Sequence, residues 1–217
     1  MNDFEKIEDA MMMYIRGKYV ADEMGDGENT LHFMIDGNKF LSVVKNTGSF
    51  CVSICNTNPE AENFDMKNLD DWETVKKVLL AKHQPNRKPF SEEGAIHSSC
   101  GHRCDLCVFY MASRVNDEAH YDKILQSFER VYGGEWDKNK IKPCDGCSTG
   151  GWHKKWDCET LKCATANGVK DCRNCTNHPC EKAFTHYHGK NPKFHTKQFS
   201  ADDVTLALLP YVPVQFW

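Results

Sequence analysis

Ten of the chain's twelve cysteines fall between residues 100 and 180: Cys100, Cys104, Cys107, Cys144, Cys147, Cys158, Cys163, Cys172, Cys175 and Cys180. Three pairs have two residues between their sulfurs: Cys104/Cys107, Cys144/Cys147 and Cys172/Cys175. That spacing lets one tight turn present both thiolates to one ion, while backbone N–H groups of the turn offset their charge. Zinc takes four tetrahedral ligands, at about 2.3 Å for sulfur, so two pairs, or a pair with two single cysteines, complete a site. Turn-forming residues stand beside the ligands, as in "PCDGC" and "NHPCEK". All ten cysteines are candidate metal ligands. Two zinc ions would use eight and leave two to pack. A third ion would need two histidines, and His97, His102, His153 and His178 are near in sequence. Spacing leaves open which cysteines share an ion, and whether the arrangement is sequential or crossed.

Iron is the alternative. Cys100, Cys104 and Cys107 read C-x3-C-x2-C, the spacing that holds a [4Fe–4S] cluster in radical enzymes using S-adenosylmethionine. Those enzymes resemble a partial α/β barrel with repeated strand-helix units. Here one helix and then cysteine loops follow Cys107, so that class is set aside. A plain iron–sulfur redox protein stays as the alternative to zinc. A catalytic zinc needs an open coordination position and a nearby acid or base. No His-x-Glu precedes "PCDGC", and residues 1–97 hold no phosphate loop, nucleophile elbow or close His–carboxylate motif. The expectation is therefore a binding protein with structural zinc, not an enzyme, with a ligand or protein partner still to be identified. A nucleic-acid-binding role is the second alternative, from the mixed basic and aromatic stretches "HKKWD" and "HYHGKNPKFHTK". A solvated loop surface accounts for the same residues. His186 and His188 alternate there and lack a third partner.

The totals agree with a soluble protein. Of 217 residues, 40% are hydrophobic and 27% charged, with a formal net charge of −4. The acidic excess lies in the first half. The cysteine-rich half is slightly basic, but thiolates bound to metal would cancel that, so the charge argues little for nucleic acid. The N-terminus is acidic where a secretory signal would be basic, and no apolar run approaches a membrane span. A cytoplasmic location is expected, where thiols stay reduced and clustered cysteines bind metal in place of forming disulfides.

The elements that must position these groups follow from periodicity. Phe4, Ile7, Met11 and Tyr14 share a helical face, capped by Asn2 or Asp3, with Met11 to Met13 as core filling. Leu31, Phe33 and Ile35 alternate, Asp36-Gly37 turns the chain, Phe40 to Val44 returns, Thr47-Gly48 turns again, and Phe50, Val52 and Ile54 alternate. This predicts a three-stranded antiparallel meander. Cys51 and Cys55 would lie roughly 13 Å apart along one strand, too far for one ion. A second helix, with Trp72, Val75 and Leu79 inward, starts at a capping box of Asp70 and Glu73. A third carries Tyr121, Ile124, Leu125, Phe128 and Val131 as one stripe, from Asn116 or Asp117 to Gly133-Gly134. The fold class is α+β: a small antiparallel meander with helices on one face, then a loop-rich, metal-stabilised cysteine-rich domain with one main helix. The expected domains are 1–82, a linker over 83–96, the metal-binding domain over 97–199, and a C-terminal helix and apolar tail over 200–217. The tail is expected to dock on the N-terminal domain or on a second subunit, giving a homo-oligomer. The cysteine loops bury little apolar surface, so chelation is expected to unfold that half.

"CGHRCDLCVFYMA", "PCDGC" and "CETLKCATANGVKDCRNCTNHPCEK", within about residues 98–184, resemble the bacterial and archaeal family catalogued as domain of unknown function 3795. The order, spacing and flanks of the cysteines match its pattern. Leu161 stands where that family usually has Arg, and Lys155 where many members have a further cysteine. The resemblance implies a metal-binding, zinc-type domain and no particular reaction. Residues 1–95 resemble, by "FLSVVKNTGSFCVSI" and "LDDWETVKKVLLAK", the small bacterial domain of unknown function 3788, in which a meander precedes a closing helix.

Overall fold

The computed structural model describes residues 3–55, 61–147, 158–177, 180, 182 and 198–211. Its architecture is α+β, with two compact units. The first runs to Lys88 and takes back a segment ending at Ala201. The second runs from Pro89 and includes the chain from Asp202.

In the first unit, α1 (Asp3–Lys18) precedes a five-stranded antiparallel sheet of β1 (Asp22–Gly25), β2 (Thr30–Ile35), β3 (Asn38–Asn46), β4 (Ser49–Ile54) and β5 (Glu62–Met66), in sequence order. Helix α2 (Leu69–Lys82) follows. The expected three strands are β2 to β4. Asp36 and Gly37 both take positive φ, 50° and 76°, in the two-residue turn between β2 and β3. Register carries one row of apolar side chains across the sheet: Leu31 opposite Val43, Val43 opposite Val52, Val52 opposite Phe64. Ile7, Met11, Met12 and Ile15 from α1, and Trp72, Val75 and Leu79 from α2, complete this core. The next row is polar. His32 lies opposite Ser42, Ser42 opposite Ser53, and Ser53 opposite Asn63. Period two puts that row on the other face, so the helices cover one face only. Cys51 shares the polar row's face by the same alternation, and both Cys51 and Cys55 are half-buried.

The two outer strands escape sequence reading for a physical reason. The one buried residue of β1 is Glu23. It pairs with Arg16 of α1 through two contacts of 2.7 and 3.0 Å. The Arg16 guanidinium also lies 5.3 Å from the Phe199 ring centroid, and Glu23 N–H donates to the Phe199 carbonyl at 2.9 Å. A charge pair under a returning segment thus closes the sheet edge, where an apolar pattern would otherwise be sought. Strand β5 buries Met66 and is otherwise exposed or half-buried. The cap of α2 lies earlier than expected. Asn68 accepts from Asp71 N–H at 3.0 Å, and the Asp71 carboxylate accepts from Asn68 N–H at 3.1 Å, which is a reciprocal box. The expected cap Asn2 lies outside the described residues.

In the second unit the main helix is α4 (Glu118–Tyr132), capped by Asp117 and ended at Gly133, whose φ is 79°. Its stripe is buried as expected: Tyr121, Ile124, Leu125, Phe128 and Val131. The short helix α3 (Val108–Met111) packs on it. The C-terminal segment is an α-helical turn, Ala201–Asp203, a π-helical stretch, Val204–Leu208, and a 3-10 turn, Leu209–Tyr211. The described part of the tail, residues 204–211, packs on α4 of the cysteine-rich half. Arg130 of α4 pairs with the buried Asp203 at 2.6 Å. Phe109, Phe128, Tyr132, Trp136 and Tyr211 form an aromatic cluster, with centroid distances from 4.7 to 5.7 Å between neighbours. This half therefore has an apolar core of its own, larger than its loop composition suggests. Phe216 and Trp217 lie outside the described residues. No described helix is long and apolar enough to cross a membrane.

Candidate metal centre

Two of the three cysteine pairs form the same turn. Cys104–Leu106 and Cys172–Asn174 are single 3-10 turns. Each is closed by the N–H of the second cysteine on the carbonyl of the first, at 3.0 Å in both. Backbone angles agree as well: φ −75°, ψ 132° at Cys107 and φ −78°, ψ 135° at Cys175. A turn of this kind is what the two-residue spacing requires. The third pair, Cys144/Cys147, turns at Gly146 with φ 96°, which a side chain would disfavour. Arg114 ties that turn to the end of α3, donating to the Cys144 carbonyl at 2.8 Å and to Asp145 at 2.7 Å.

Cys100 sits in a loop closed by a bridge between His97 and Arg103. Gly101, at φ 87°, donates to the Ser98 carbonyl at 2.8 Å, and Ser98 N–H donates to the His102 carbonyl at 2.9 Å. The Ser98 hydroxyl lies 3.0 Å from the Cys100 sulfur. Cys158 stands at the N-cap of α5 (Glu159–Ala166), which also carries Cys163. The Asn167 amide donates to the Cys163 sulfur at 3.6 Å. Cys180 is half-buried.

The fold brings distant thiols together. Cys104 and Cys147 share a hydrogen bond, which holds the Cys104 thiol down at about 7. Cys147 moves upward through that same bond, then burial, then the nearby charges of Cys104, Cys100 and Cys107. Burial pushes Cys107 up to about 11. A second neighbourhood centres on Cys172, also pushed up to about 11, by burial first and then by Cys100, Cys163 and Cys180. The Cys172 N–H donates to the Ser99 carbonyl at 2.7 Å, which fastens this turn to the Cys100 loop. Cys100 acts on Cys147 as well as on Cys172, so it neighbours both groups of thiols. No disulfide joins any of the twelve cysteines. Among the described residues no group of three or more His, Cys, Asp or Glu side chains is closed tightly enough to hold an ion. His153, His178, His186 and His188 lie outside the described residues.

Residues 96–185 match the family model described as Protein of unknown function (DUF3795). The DUF3795 match spans all ten clustered cysteines, as their spacing implied. No curated protein and no solved structure matches the chain.

Two features of the cysteine-rich half were not read from the sequence. Tyr211, beyond the matched span, is buried, and its phenol donates to the Cys107 sulfur at 3.4 Å while accepting from Val108 N–H at 3.1 Å. Burial raises its ionisation well above the ordinary range, with Cys107 adding to the effect, so it stays a donor. A tyrosine in an apolar tail carries no signal for that contact. The second is His97. Its Nε2 lies 2.9 Å from Glu92, while its Nδ1 is buried with no hydrogen-bond partner. An imidazole nitrogen with no hydrogen-bond partner is a donor that suits zinc, copper, iron or nickel.

Proposed function

We propose that the DUF3795 half binds two zinc ions that are mainly structural, in a cytoplasmic protein whose role is binding and not catalysis. The observation that carries this reading is the contact between Cys104 and Cys147. It brings two C-x2-C turns, from either side of α4, face to face. Cys104, Cys107, Cys144 and Cys147 form the first set of ligands. The second set is drawn from the neighbours of Cys172, namely Cys100, Cys163 and Cys180. The thiols are adjacent but not closed into a cage, so an ion would draw them in. Mutual thiolate repulsion opposes such closure without a cation. Zinc bound by thiolates would add on the order of 10–16 kcal/mol per site to the folded loops. Four-thiolate sites are closed to substrate, which supports a structural role. Cysteines not joined in disulfides agree with a reducing compartment.

A second reading has one observation in its favour. Cys100, Cys104 and Cys107 all act on Cys147, a grouping that also suits a [4Fe–4S] cluster. Site-by-site metal counting separates the two. The double variant C104S/C147S should lose one zinc of two and keep the other. Loss of iron, sulfide and colour together would favour the cluster. Full retention of metal by the double variant would refute the first ligand set.

A further inference from the structure

We infer that His97 is itself a metal ligand, through Nδ1, and joins three of Cys100, Cys163, Cys172 and Cys180 in the second site, a role that presupposes the zinc reading above. The ring is buried except for a side-chain exposure of 15%. Its two nitrogens are treated differently. Nε2 faces the Glu92 carboxylate at 2.9 Å. An ionised carboxylate only accepts, so in the neutral ring Nε2 carries the hydrogen and Nδ1 presents a lone pair. That lone pair is buried and unpartnered, at a cost of about 1–3 kcal/mol if nothing meets it. A carboxylate on one imidazole nitrogen with the other nitrogen bare is how proteins orient a metal-binding histidine. Glu92 is held in turn by Arg103 at 3.4 Å, and Arg103 is pinned by Asp105 at 2.6 Å.

Placement agrees with the chemistry. His97 and Cys100 stand at H-x2-C, the same spacing as the cysteine turns. The loop they share is fastened to the Cys172 turn by the bond from Cys172 N–H to Ser99. Asp171, next to Cys172, lies within electrostatic reach of His97. That carboxylate is engaged by Arg173 through its Nε at 2.8 Å, so it is not the partner of Nδ1. A histidine nitrogen also relieves the charge of a four-thiolate site by one unit.

The test is nitrogen-detected NMR of the full chain, labelled at histidine, without metal and loaded with cadmium-113 in place of zinc. The metal-free protein should show His97 as the Nε2–H tautomer. The loaded protein should show a cadmium coupling at His97 Nδ1. Glu92→Gln should retain the coupling and weaken metal affinity 10–100-fold. Two bound ions with no coupling at His97 would overturn this inference and leave the zinc reading intact. Failure of the wild-type protein to bind any metal would overturn both.

Discussion

Replacing Tyr211 by Phe removes one oxygen atom and keeps the ring. The ring packs 5.7 Å from both Phe128 and Tyr132, so the apolar contacts survive. Two hydrogen bonds are lost. Val108 N–H, in a fully buried residue, loses its acceptor at 3.1 Å. A buried donor left unsatisfied costs about 1–3 kcal/mol. The Cys107 sulfur loses a donor at 3.4 Å, worth roughly another 0.5–1 kcal/mol as a neutral hydrogen bond. The sum is about 1.5–4 kcal/mol. For a chain of this size each kcal/mol lowers the melting temperature by about 2–4 °C. A drop of roughly 3–16 °C is expected in the cysteine-rich half. Tyr121→Phe is the matched control, because its phenol donates to the Val108 carbonyl at 3.3 Å. That variant should lose only about 0.5–1.5 kcal/mol. Hydrogen exchange at the Val108 amide, read beside thermal unfolding, isolates the local effect. Equal stability of Tyr211→Phe and wild type, or a larger loss in Tyr121→Phe, would refute the assignment of Tyr211 as the clasp on the first knuckle.

Removing one partner of the Arg16–Glu23 pair, with side chains 2% and 1% exposed, should cost about 3–5 kcal/mol, because a charge stays buried without its mate. Glu23→Leu should therefore unfold at clearly lower urea, and Arg16→Met/Glu23→Leu together should recover most of the loss. A double variant no better than the single one would contradict this. In metal-free protein, stability should peak near pH 9. The Cys104 thiol, held at about 7 against an ordinary 9.0, contributes stability that is present above about pH 9 and lost as pH falls through 7. Cys107 and Cys172, both raised to about 11, work the other way: stability falls as pH climbs from 9 toward 11. Urea melts from pH 6 to 11 in a chelator check the curve, and Cys104→Ser should flatten its rise between 7 and 9. After chelation, amide protection on α4 should persist while that around Cys163 and Cys172 falls, since the aromatic core does not depend on metal. Collapse of both together would show that core to be insufficient.

The sequence carried most where one residue type dictates geometry. The buried stripe of α4 follows from its helical period, and the Asp36-Gly37 hairpin from the need for positive φ at two adjacent positions. The cysteine spacing fixed the turns at Cys104 and Cys172 because only two residues separate the sulfurs. What failed were features set by partners far away in the chain. Strand β1 buries Glu23, which no hydrophobic pattern reveals without Arg16 and Phe199. The α2 cap fell on Asn68 because Asp71 completes a reciprocal box there, which Asp70 and Glu73 do not. Residues 204–211 could be read as an apolar tail, but Arg130 and the α4 stripe decide where it docks. The orphaned nitrogen of His97 is visible only once Glu92 has taken the other one.

Elemental analysis of full-length protein purified without air tests the central claim most directly. The account predicts a colourless protein with about two zinc ions per chain, as expected for two four-coordinate sites, falling to about one in C104S/C147S. A brown protein containing iron and sulfide, or a folded protein with no bound transition metal, would contradict it.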